Sequence, residues 1–418
     1  MLRSMLTDGL EIALVDVRPA TDFEKGHILL AVNLAAERLS GEINRLVPRP
    51  STRVVLCDDA TGLADQAAAV LEALGYGDLH ILKGGVKAWP DAGFELFSGT
   101  YSINNTFALC VERHYGTPRI TAQDLKSKLD SGAAITILDS RPFDEFHDES
   151  IPGAVNLPLA EQPYRIADIV TNPEHEIVVN CGGRARAVLG CQSLINAGVP
   201  NPISALYYGT MGWDLAGYTL ARGAEQASIP LSSEARAWAR QAAGQIVHRF
   251  AVRSISWQQL QAWRAESQER TVYVIDVRGR AEFDAGHLPD CAWVPGGELI
   301  GLTEDHIATR NARLCLVDND GARATLIASW MMQMGWPDVA VLDEGIDGYP
   351  GTDLGLESTA PVAAAPGDAA DGPIEPDTAA RMAARHAGFR QTMEARERLP
   401  DQLGRDGTLG FRLPPPRG

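Results

Sequence analysis

The chain has 418 residues, too many for one ordinary core, so roughly two to four domains are expected. Hydrophobic residues at 45% and charged ones at 22% exclude a wholly disordered or collagen-like chain, and a net charge of −17 has the wrong sign for neutralising nucleic-acid phosphates. No apolar run reaches the roughly 18 to 20 residues that span a bilayer, and Asp8 and Glu11 interrupt the N-terminal stretch where a signal peptide would be apolar, so a cytoplasmic protein with neither membrane nor nucleic-acid partners is expected.

The first element in chain order, LVDVRPATDFEKGHI at 14 to 28, recurs as ILDSRPFDEFHDESI at 137 to 151 and VIDVRGRAEFDAGHL at 274 to 288. Asp16, Asp139 and Asp276 are each followed at +2 by Arg18, Arg141 and Arg278, and at +7 by Phe23, Phe146 and Phe283. Each copy continues into a second apolar strand and a helical pattern closed by Gly75-Tyr76, Gly198-Val199 or Gly335-Trp336, glycines that suit helix C-caps. Short apolar strands alternating with amphipathic helices predict βα units around a parallel sheet. The organisation is therefore three tandem α/β domains at 1–97, 118–223 and 253–352, each a parallel sheet with helices on both faces, followed by a linker and tail at 353–418.

The first copy, LRSMLTDGLEIALVD, aligns with LKSKLDSGAAITILD from Leu125 to Asp139, which leaves no counterpart of Arg119 to Asp124. A first strand is expected to be missing here, through either an upstream start or a truncated edge strand. FSGTYSINNTFALCVERHYGTP, between the first two domains, and a helix from Ser233 to Val247, capped by Ser232 or Ser233, read as ordered connectors. Glu357 to Asp377 is rich in Ala, Pro, Gly and Asp and reads as a flexible linker, after which Thr378 to Leu399 has helical composition.

In a parallel sheet, ligands bind where a strand's carboxyl end feeds a loop and a helix N-terminus. Forty-two residues on from the three aspartates stand Asp58, Cys181 and Asp318, each 18 residues before Tyr76, Val199 or Trp336, so the three loops are in register. The middle one reads Cys181-Gly182-Gly183-Arg184-Ala185-Arg186. Loop amides, a helix N-terminus and two guanidinium groups would each stabilise a thiolate and lower its pKa. The outer loops, Asp58-Asp59-Ala60-Thr61-Gly62-Leu63 and Asp318-Asn319-Asp320-Gly321-Ala322-Arg323, offer no nucleophile there.

With the Asp-x-Arg element, Glu145-Phe146, Ile151-Pro152-Gly153-Ala154-Val155-Asn156 and the Cys181 loop in each expected place, the chain resembles the rhodanese family of sulfurtransferases over three repeats, and the resemblance to bacterial tandem forms extends to Arg405-Asp406-Gly407-Thr408. The resemblance implies a catalytic middle domain between two degenerate ones. Cys181 would be the persulfide-forming nucleophile, and residues 182 to 186 would bind substrate. The amides of Gly182, Gly183, Arg184, Ala185 and Arg186 would cradle the persulfide, with Arg186 orienting an anionic donor such as thiosulfate and Arg184 adding a second positive contact. It also implies a thiol or cyanide acceptor, or a protein as sulfur acceptor, and neither cofactor nor metal. The phosphatase branch of this fold places five residues between cysteine and arginine; here four intervene, which argues against phosphate chemistry.

The other cysteines stand apart from this loop position. Cys57 precedes it by one residue at a strand end, Cys191 and Cys315 fall on apolar helix and strand positions that suit packing, and Cys110 and Cys291 lie outside the junction loops. The Asp-x-Arg pairs occur with and without the cysteine, so their role is read as structural. The rival reading of the whole is a non-catalytic scaffold whose modules dock sulfur-carrying partners; an intact Cys181 loop is a feature such a scaffold has no need of.

Overall fold

The computed structural model describes residues 1–225, 229, 231–350 and 379–416. The stretch from 357 to 377, read as a linker, lies outside them. Three all-parallel sheets follow one another along the chain. The first is ordered β2-β1-β3-β4, from β1 (Ile12–Asp16), β2 (Val32–Asn33), β3 (Arg53–Cys57) and β4 (Leu79–Ile81). The second is β5-β9-β8-β6-β7, from β5 (Arg119–Ile120), β6 (Ile135–Asp139), β7 (Val155–Asn156), β8 (Glu176–Asn180) and β9 (Ile203–Leu206). The third repeats that order as β10-β14-β13-β11-β12, from β10 (Arg253–Ile255), β11 (Val272–Asp276), β12 (Ala292–Trp293), β13 (Arg313–Val317) and β14 (Asp338–Leu342).

Helices on both faces require strands without polar alternation, and β3, β8 and β13 are buried at every residue after the first. The first sheet has four strands where the others have five, lacking the edge strand that β5 and β10 supply, as the alignment of its first residues predicts. Gly75, Gly198 and Gly335 all have positive φ at their helix ends.

The connectors carry the interdomain core. The helix Ser102–Tyr115 buries Phe107, which meets Trp330 of the third domain and Phe411 of the tail edge-on, at 5.8 and 5.0 Å between ring centres. The second connector helix, Ser233–Phe250, runs one turn beyond its expected end; the Ser232 hydroxyl caps it by accepting the Ala235 N–H. The tail forms two helices, Ala379–Glu397 and Leu399–Asp406, rather than one. The second ends in Asp406-Gly407-Thr408, where Asp406 accepts the amides of Thr408 and of Glu95 and so fastens the tail to the first domain. Among the described residues no helix is long and apolar enough to cross a membrane.

Candidate active site

The middle sheet delivers Cys181 at the end of β8 through a buried polar lock. Arg141 grips both oxygens of Asp139 at 2.9 and 2.8 Å, and the Asn180 amide donates to the same carboxylate at 2.7 Å. Arg18 and Asp16, and Arg278 and Asp276, repeat the pair, so it holds strand to loop whether or not a cysteine follows. The loop then curls through Arg184 into the helix Ala185–Ala197.

A second clamp comes from the start of the helix Gly209–Leu215, which follows β9. The N–H groups of Thr210 and Met211 donate to the carbonyls of Cys181 and Gly182 at 2.9 and 3.1 Å. Gly209, at φ +54°, comes so close that a Cβ there would sit 1.9 Å from the Cys181 oxygen. Gly85 and Gly345 make the same approach to the carbonyls of Asp58 and Asp318.

The three loops share one receptor. Asp58 accepts the amides of Ala60, Thr61 and Ala64, and Asp318 those of Gly321, Arg323 and Ala324. At Cys181 the amides of Gly183 and Ala187 stabilise the thiolate, so the amide six residues on is used in all three copies. Each loop is an anion cradle. In the outer domains the chain's own carboxylate fills it; in the middle domain a thiol takes that place.

The thiol itself departs from expectation. Cys181 is 1% exposed, and burial pushes its pKa up from the ordinary value against the pull of Arg186 and the amides of Ala187 and Gly183, with Asp139 adding to the rise. Loop chemistry alone predicts a lowered pKa; desolvation outweighs it here. At neutral pH the thiol form dominates, so single-turnover sulfur loading at low donor concentration is expected to rise nearly tenfold per pH unit from pH 6 to 8. A flat profile over that range would contradict this.

The two arginines are engaged with carboxylates. Arg186 meets Glu145 in a bidentate pair at 2.6 and 2.7 Å. Arg184 turns away to Glu112 at 2.7 Å and to Glu397 of the tail helix, with the Tyr208 hydroxyl at 3.3 Å. The Glu145–Arg186 pair is legible in the repeats: Glu282 and Arg323 stand at the matching positions of the third and bind at 2.7 and 2.8 Å. Glu112 and Glu397 had no signal, since both come from outside the repeats.

The third domain's loop is closed by its neighbours. Arg323 also binds Glu161 of the middle domain at 2.6 Å and lies 4.3 Å from the Tyr164 ring, while Asp320 takes Arg236 and Arg240 of the connector helix. Cys57, Cys191, Cys291 and Cys315 are buried thiols pushed up by burial, and Cys110 is half-buried. His27 and His287 stack on Phe23 and Phe283 at 3.8 and 3.9 Å; burial drives His27 down to about 4.

Comparison with known proteins places the fold. A thiosulfate sulfurtransferase from Pseudomonas aeruginosa superposes with a TM-score of 0.88 at 32% identity, covering 99% of this chain and 98% of its own. The thiosulfate sulfurtransferase GlpE of Shewanella oneidensis is 36% identical over 89 residues, 21% of this chain and 84% of that protein. An HTH-type transcriptional regulator of Mycobacterium tuberculosis is 31% identical over 111 residues, 26% of this chain; the chain spans about half of that relative's length, 48%. The family model for the rhodanese-like domain matches residues 1–92, 121–216 and 256–351. The chain therefore belongs to the rhodanese-like domain family, with three tandem copies of the domain.

Proposed function

We propose that the middle domain is a cytoplasmic sulfurtransferase that moves sulfane sulfur from a donor such as thiosulfate to a thiol or cyanide through a persulfide on Cys181. The observation that carries this reading is the threefold cradle: of three matching anion sites, the middle one holds a nucleophile where the others hold a carboxylate. Membership of the family and the likeness to two thiosulfate sulfurtransferases support it.

In the first step the Cys181 thiolate attacks the outer sulfur of thiosulfate. The sulfur–sulfur bond of the donor breaks, its electron pair leaves with sulfite, and Cys181 carries a persulfide anion. In the second step an acceptor thiolate or cyanide takes the outer sulfur, and the electron pair of that bond returns to Cys181. Amides from Gly182 to Arg186 and on to Ala187 hold the terminal sulfur as the matching amides of the outer loops hold the carboxylates of Asp58 and Asp318. Glu145 fixes Arg186, which lends the sulfur positive potential, and Glu112 fixes Arg184, so both arginines shape the loop.

The outer domains act as scaffold. Arg323 and Asp320, in the third domain's former site, bind the middle domain and the connector helix rather than a substrate. Intact mass after incubation with thiosulfate is expected to show one added sulfur on the wild type, lost with a thiol, and none on Cys181→Ser. Loading of the serine protein would overturn the assignment, and failure of the wild type to load with any sulfane donor would leave the scaffold reading for all three domains.

A further inference from the structure

The tail helix Ala379–Glu397 lies on the middle domain beside the Cys181 loop and is pinned on either side of it. Near its start Arg385 binds Glu149 through its two terminal nitrogens, at 3.0 and 2.6 Å, and Asp214 through Nε at 3.1 Å. At its end Glu397 accepts from Arg184, from Tyr208 at 2.9 Å and from Tyr207 at 3.2 Å, while Arg113 donates to its carbonyl at 3.0 Å. Between these anchors stands Arg396.

Its guanidinium rests on the loop itself: a Cβ added to Gly183 would lie 2.5 Å from Arg396 Nη1. Three arginines thus stand around the Cys181 loop, and two of them are spent. Arg186 is held by Glu145, and Arg184 by Glu112 and Glu397. Arg396 makes no ion pair or hydrogen bond with a described residue, although it is half-buried. Burial pulls its pKa down, Cys181 and then Tyr208 push it back up, and Arg186 and Arg184 pull it down again, as befits a cation that faces the sulfur without a carboxylate of its own.

A half-buried guanidinium without a counter-ion is costly unless an anion arrives. Of the acidic groups it faces, the reacting sulfur pulls hardest and the Tyr208 hydroxyl, already engaged with Arg184 and Glu397, less; a dianionic donor brings two more charges to the same place. We propose that Arg396, from outside the three repeats, is the donor-binding residue of this site and recognises the oxyanion end of a thiosulfate-like donor. This rests on the Cys181 reading and deepens it: the catalytic domain borrows its anion contact from the far end of the chain. It also accounts for glycine at 183, where any side chain would displace the guanidinium.

The test is single-turnover loading of the full chain with thiosulfate, read by intact mass over a range of concentrations. Arg396→Gln is expected to raise the half-saturating concentration about tenfold or more, with the maximal loading rate within about threefold; Arg396→Lys should fall between the two. Gly183→Ala should raise half-saturation in the wild type and add nothing in the Arg396→Gln background, because its effect passes through that guanidinium. Half-saturation within about twofold of wild type in both Arg396 variants overturns the proposal. So does a displaced pH profile with unchanged half-saturation, which would put the arginine on the thiolate rather than the donor. Should Arg396→Gln not fold, judged by its thermal transition, the lysine and Gly183 variants decide.

Calorimetric titration of Cys181→Ser with thiosulfate separates the two readings. Binding that Arg396→Gln abolishes supports the donor site even if no persulfide forms; equal loading of wild type and Arg396→Gln removes Arg396 while leaving Cys181 in place.

Discussion

A Cys181→Asp protein is expected to fold, to unfold within a few degrees of the wild type, and to transfer no sulfur. Burying a carboxylate in a core without partners costs several kcal/mol, and removing one partner of a buried charge about 3 to 5. The loop around Cys181 is an exception, because the same backbone in the outer domains already holds Asp58 and Asp318 on three amides each. Burial alone would raise Asp58, yet the amides of Ala64 and Ala60 hold its carboxyl below the ordinary value; at Asp318, fully buried, burial wins and the value rises. Asp58 therefore adds stability above the unfolded carboxylate pKa, lost as pH falls through its folded one, whereas Asp318 costs some stability at neutral pH. A carboxylate at 181 falls between these cases, with Arg186 nearby to favour it. Cys191→Asp supplies the contrast: that thiol is 0% exposed in the hydrophobic core and has no cradle, so the same change there should lower the thermal midpoint by ten degrees or so, or prevent folding. The anion-receptor account fails if the two aspartate variants are equally destabilised.

Much of this was readable from the chain because it depends on short-range pattern. The three Asp-x-Arg elements and the constant step to Asp58, Cys181 and Asp318 place the loops at matching strand ends, and the missing strand of the first sheet follows from the same alignment. What escaped depends on contacts between distant segments. The thiol pKa rises rather than falls because Cys181 is covered, and cover is a property of packing that loop composition does not carry. Arg184 reads as a substrate contact when only its neighbours in sequence are considered; its real partners, Glu112 and Glu397, stand 72 and 213 residues away in elements that belong to no repeat. The tail has helical composition, but an exposed-looking, Ala- and Arg-rich helix gives no sign of where it docks, and Arg396 is one of several arginines on it until the fold brings it to Gly183.

The second large effect concerns a residue that touches no substrate. Gly209→Ala is expected to lower stability by more than about 3 kcal/mol and to abolish sulfur loading, while Gly217→Ala costs about 1 kcal/mol and leaves loading intact. Both glycines have positive φ, +54° and +81°, so the backbone strain of an added Cβ is similar and does not separate them. Space does: at Gly217 nothing lies within 4 Å, whereas at Gly209 the Cβ would fall 1.9 Å from the Cys181 carbonyl oxygen and 3.1 Å from that of Gly183. Those atoms are backbone, so the clash is relieved only by moving the loop that holds the sulfur. The movement would break the hydrogen bonds from Thr210 and Met211 to the carbonyls of Cys181 and Gly182, and tilt the amides away from the sulfur. Gly85 and Gly345 stand in the same relation to Asp58 and Asp318, so Gly345→Ala should destabilise comparably and yet spare the chemistry of the middle loop. Thermal melts and mass-detected loading on the three alanine variants would distinguish a clamp on the sulfur site from a general intolerance of alanine at positive φ.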